Sequence, residues 1–170
     1  METDPIKETP ENFLEQAAAE SGVAIIVVDE HSSVSKANNN SICDHLYSSD
    51  EFAPLCAQDC GRAFRRATEA GAPVPYQCHA GLDCVAVPLK AEKPLVAIVG
   101  RAFTKAENYR RATGRAIEGD WQRFPQSQFF ENVLITGPAK NLKKHKKQAK
   151  ESFVTNTGLK RISPLQENSG

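Results

Sequence analysis

The sequence predicts an α+β domain in which an antiparallel sheet is flanked by helices. Three observations lead there. A continuous apolar run, residues 23–29 (VAIIVVD), is rich in β-branched residues and bounded by Gly and a polar turn. One long helical stripe follows, and after it come three strand-like runs joined by turns too short to hold a crossover helix. Strands and helices thus segregate along the chain instead of alternating, which argues against a doubly wound sheet.

The 170 residues suffice for one domain with a sizeable core. A hydrophobic fraction of 40% and a charged fraction of 25% exclude wholesale disorder and fibrous repetition. No apolar run approaches the roughly 18 residues that span a bilayer, and the first residues are acidic where a signal peptide is basic and then apolar. A cytoplasmic protein with no membrane partner is expected. The zero net charge conceals an asymmetry: residues 1–60 carry 12 acidic and two basic side chains, residues 61–170 nine acidic and 19 basic. A nucleic-acid grip over the whole surface is thereby disfavoured, although the basic half could carry a local one.

Taken in order, residues 1–11 read as a flexible leader. Residues 12–20 form a short helix with Phe13, Leu14, Ala17 and Ala18 on one face, ended by Ser21-Gly22. The run 23–29 is a strand buried on both faces. Residues 30–40 make a hairpin with a ragged second strand carrying Val34 and a loop at Asn38-Asn39-Asn40. Ser41 is a cap for one or two helical turns over 42–47. Residues 49–70 give the clearest helix, with Pro54 in its first turns, Gly71 as its stop, and Phe52, Cys56, Cys60 and Phe64 at four-residue steps. Gly61 within it costs about 1 kcal/mol relative to Ala. Strands are expected at 76–79, 84–89 and 95–103, the last two antiparallel, with Pro88 near an end or edge. A basic helix over 105–117 follows, then Trp121, Phe124 and an aromatic and aliphatic segment ending at Ile135. The domain is thus placed at 12–137, a helical basic extension or tail at 138–153 with six lysines between 140 and 150, and a disordered tail at 154–170.

The cysteines are the informative constellation. Without a secretory signal, five Cys argue for thiols, a metal site or a cluster before disulfides. Cys56 and Cys60 stand one helical turn apart, a workable bite for a soft metal, and Cys43 and Cys78 could complete four thiolates around zinc or an iron–sulfur cluster. The plainer alternative is that Cys56 and Cys60 are small apolar members of the stripe between Phe52 and Phe64. Cys78-His79 is disfavoured as a nucleophile and base, because neighbours in a strand point to opposite faces. Cys84 is expected to be a core thiol apart from the others, and Arg101, in an otherwise apolar strand, a strand-end charge or an anion partner.

The run Tyr76-Gln77-Cys78-His79-Ala80-Gly81-Leu82, leading into an apolar strand with Pro88 and then a strand ending Gly100-Arg101-Ala102-Phe103, resembles the core of the PocR sensory domain. Cys43, Cys56, Cys60 and Cys78 fall at matching places. The resemblance implies a PAS-like fold serving as the sensory module of bacterial transcription regulators and histidine kinases. It further implies a small-molecule ligand, with Tyr76, His79, Gly81 and Arg101 as ligand-binding residues and the four cysteines as the metal set. The family's last strand commonly ends in a Gly-Gly-Gln type sequence, where this chain has Gly100-Arg101-Ala102. No kinase signature, P-loop or helix-turn-helix is visible, so a non-enzymatic sensor acting through a signalling partner or homodimer is expected. The alternatives are a thiol-redox switch and a nucleic-acid binder using the basic C-terminal segment.

Overall fold

The computed structural model of the protein describes residues 16–135 apart from 17, 21, 32, 38 and 39, with the backbone alone given for 33–37. The expected basic extension and C-terminal tail, like the leader, lie outside the described residues. Residues 16 and 18–20 are helical, and Gly22, at φ +68°, donates its N–H to Ala18 O at 2.8 Å to close the turn.

Five strands form one antiparallel sheet: β1 Ala24–Val28, β2 Ser33–Ala37, β3 Val74–Gln77, β4 Asp83–Leu89 and β5 Leu95–Ala102, in the spatial order β2-β1-β5-β4-β3. Every pairing is antiparallel. The α+β class is therefore correct. β1 and β5 occupy the middle, which is why their apolar runs are continuous: all five β1 residues are buried, as are seven of the eight in β5. Side chains alternate between two cores. Ile26, Ala86 and Ile98 face the helices, while Ile25, Val27, Val85, Val87, Ala97 and Val99 form a second layer with Ala18 on the opposite face.

The sheet is accompanied by helices α1 Ser41–Tyr47, α2 Ala53–Ala70, α3 Ala106–Glu118 and the single turn α4 Gln126–Phe129. The cap of α1 is Asn40 rather than Ser41; its side-chain oxygen accepts the Cys43 N–H at 2.7 Å, the reach an N-cap needs. The long helix begins four residues later than expected because residues 49–52 form a separate turn, with Ala53 N bonded to Ser49 O. It then runs unbroken through Gly61 to a left-handed Gly71 cap. Its buried face carries Phe64, Ala63 and Ala67 alongside Cys56, since steps of four drift around a helix of 3.6 residues per turn. Trp121, Phe103 and Phe129, all fully buried, anchor the core beneath α3 and α4. The expected strand 76–79 is shifted to Val74–Gln77, so Cys78 and His79 lie in a loop and not in a strand.

Candidate functional site

The loop between β3 and β4 is built by its own sequence. Gln77 pairs with Asp83, the Cys78 N–H donates to Leu82 O at 3.1 Å, and the Gly81 N–H donates to Cys78 O at 2.9 Å. Gly81 sits at φ +82°, the left-handed position closing a tight turn, where a side chain is strained although no atom would stand closer than 3.7 Å to its Cβ. The turn holds Cys78 and His79 against α2. The Asp59 carboxylate accepts the His79 backbone N–H at 2.7 Å, Arg115 donates to His79 O at 3.2 Å, and the Phe52 ring stacks on the imidazole. Arg115 is itself held by a double contact to Asp120 at 2.8 and 2.6 Å and lies 3.7 Å over the Trp121 ring.

Between this loop, the sheet and α1 and α2 lies a small pocket that opens to solvent. Cys43, Leu46 and Tyr47 enter it from α1, and Cys56, Asp59 and Cys60 from α2. Tyr76 of β3, Cys84 of β4 and Arg101 of β5 form its sheet side, and Cys78, His79, Ala80 and Leu82 its loop side. All four sequence-selected cysteines therefore line one pocket with Tyr76, His79 and Arg101. Gly81 does not line it; its part is the turn. Cys84 departs from expectation: being on the helix-facing side of β4, it joins the other four thiols instead of standing apart.

Each thiol has its own surroundings. Burial pushes Cys43 up to about 12, against which Arg101 pulls down. Burial likewise pushes Cys56 up to about 12, and its Sγ lies 3.1 Å from His79 Nε2. This thiol–imidazole contact was missed in the sequence because its partners are 23 residues apart. Burial also lowers the His79 pKa, only partly opposed by Asp59, so the contact joins neutral groups and not a thiolate and an imidazolium. Cys60 is raised by burial and shares a 2.9 Å hydrogen bond with the Tyr47 hydroxyl. Cys78 alone is lowered, first through a hydrogen bond from Cys84, whose own pKa that bond raises. Burial works against the guanidinium of Arg101, which nonetheless keeps its charge.

Among the described residues no three His, Cys, Asp or Glu side chains stand as a ready ligating group. The thiols ring a pocket, and those of Cys56, Cys60 and Cys84 are turned to His79, Tyr47 and the Leu82 carbonyl respectively.

The family model for the sensory domain found in PocR matches residues 7–128. The chain belongs to the PocR sensory-domain family. The match takes in the sheet, α1, α2, the loop and α3, and so every residue that lines the pocket. No curated protein and no solved structure matches the chain. A PocR sensory domain is a sensory module, and no described helix is long and apolar enough to cross a membrane.

Proposed function

We propose that this PocR domain is a non-enzymatic, PAS-like sensor of bacterial signal transduction or transcription regulation, acting in the cytoplasm, whose pocket binds a small organic molecule. The observation that carries the reading is the pocket: concave, roofed by α1 and α2, with apolar walls at Leu46, Ala80 and Leu82 and a few polar groups at Tyr76, His79 and Arg101. Binding here bridges two helices, a hairpin loop and the central strand. A ligand that fits one arrangement of these elements better than another shifts the balance between them. That shift is passed to a signalling partner or a second copy of the chain.

The test is calorimetric titration of small organic molecules into the reduced, anaerobically purified chain and into Cys60→Phe, which fills the pocket. Saturable binders of the wild type are expected to lose at least about tenfold in affinity to the variant, the loss of roughly 1.4 kcal/mol. Binding unchanged by the filled pocket overturns the reading. Metal and acid-labile sulfide are assayed on the same preparation, and a stoichiometric content of either supports zinc or a cluster held by Cys43, Cys56, Cys60 and Cys78. One observation favours a second reading, a thiol-redox switch: Cys78 and Cys84 both line the pocket, and each moves the pKa of the other. A thiol count that falls by two with peroxide and recovers with reductant supports it.

A further inference from the structure

We propose that the pocket selects a small ligand with a carboxylate or equivalent anionic head and a short apolar body, and that Arg101 is the residue that recognises the head; this rests on the small-molecule reading above. The argument begins with strand phase. Along β5, Val96 and Ile98 face the helices, while Ala97 and Val99 face the other core. Simple alternation would send Gly100 to the helix side and Arg101 to the apolar layer of Val85 and Val99. The register prevents this. Cys84 pairs with Gly100 and Asp83 with Ala102, so Arg101 is an extra residue opposite no partner, a one-residue bulge.

The bulge reverses the phase, turning Arg101 toward the pocket and Phe103 into the helix-side core. It needs a left-handed backbone at two consecutive residues, φ +101° at Gly100 and +51° at Arg101. Arg101 is the only non-glycine residue at positive φ among the described residues, a conformation that costs about 1–2 kcal/mol. Asn40 clamps it there, donating from Nδ2 to Arg101 O at 2.7 Å. The strained conformation serves to place a guanidinium at a pocket wall.

The charge is permanent and nearly out of water, since Arg101 is 4% exposed. The thiols of Cys43 and Cys56 and the phenols of Tyr47 and Tyr76 are all raised by burial and stay protonated at neutral pH, so they can donate, while Cys78, lowered to about 7, ionises in part and the Arg101 guanidinium is the fixed positive charge of the pocket. Asp59 is the only carboxylate among the described lining residues, and its oxygens are directed to the His79 N–H and to Arg62, 3.8 Å away. A planar guanidinium matches a carboxylate in a two-point contact, and Leu46, Ala80 and Leu82 suit a short apolar remainder.

The test titrates straight-chain carboxylates from acetate to hexanoate, and the alcohol of each chain length, into the reduced full chain by calorimetry. Wild type is compared with Arg101→Gln, which removes the charge and keeps a shorter polar side chain, and with Arg101→Lys, which keeps the charge without the fork. At least one carboxylate is expected to bind about 10- to 100-fold tighter than its alcohol, and Arg101→Gln to remove that margin between the two series, in keeping with the strength of hydrogen bonds to charged groups. Should Arg101→Gln fail to fold, Arg101→Lys carries the test with an expected loss of about tenfold. Alcohols binding as tightly as carboxylates overturn the inference and leave the small-molecule pocket standing. Carboxylate affinity unchanged in the folded variants overturns it as well. If neither series binds, the inference falls together with the reading beneath it.

Discussion

Asn40→Ala removes the side chain that ties helix α1 to the bulge of β5. Asn40 is 2% exposed; its Oδ1 accepts the Cys43 N–H and its Nδ2 donates to Arg101 O, both at 2.7 Å. Loss of an N-cap costs about 1 kcal/mol, and a buried backbone group left without its partner costs about 1–3 kcal/mol. The cap and the orphaned Cys43 N–H are the same interaction, so the second loss is that of the Arg101 carbonyl, and the expected total is about 2–4 kcal/mol. Urea unfolding followed by circular dichroism measures it. With a slope of about 2 kcal/mol per molar, the midpoint falls by roughly 1–2 M at unchanged slope. Asn40→Ser retains a capping acceptor but is too short to reach Arg101, and recovers about 1 kcal/mol of the loss. A loss below about 1 kcal/mol in Asn40→Ala refutes the reasoning, because it means that water or a backbone shift satisfies both groups without cost.

Two further outcomes follow from the core and the thiols. Trp121→Ala removes a fully buried ring that packs on Phe52 and Phe129 and lies beneath Arg115. Its unfolding free energy drops by about 3–5 kcal/mol, and a drop under about 1.5 kcal/mol in the same urea assay contradicts the packing described. Cys43, raised by burial to about 12 from an ordinary 9, remains protonated in the folded chain while the unfolded chain ionises. Its contribution is whole below pH 9 and is lost as pH climbs toward 12, at about 1.4 kcal/mol per pH unit. Urea midpoints between pH 8 and 10.5 fall less steeply in Cys43→Ala than in wild type, whereas parallel slopes count against the buried thiol.

The central strands and the body of the long helix were legible in the sequence, since both follow from local pattern, whereas the strand before Cys78 and the start of that helix were displaced by two and four residues. A continuous β-branched run such as residues 23–29 can bury both faces only in the interior of a sheet, and turns as short as residues 90–94 permit only antiparallel neighbours. The residues around Cys78, together with the upstream cysteines, also marked the family, because a tight turn needs Gly81 where it stands. Tertiary structure decided the rest of the site. Whether Cys84 faces the other thiols depends on the side of β4 that meets the helices, and whether Arg101 points into the pocket depends on one unpaired residue in the register of β5. Neither leaves a mark in strand periodicity, since an added residue reverses every side chain beyond it without altering the composition. The Cys56–His79 contact and the Asn40 clamp join residues 23 and 61 positions apart. Such pairs exist only once hydrophobic burial has brought α1 and α2 onto the sheet, so spacing along the chain carries no record of them.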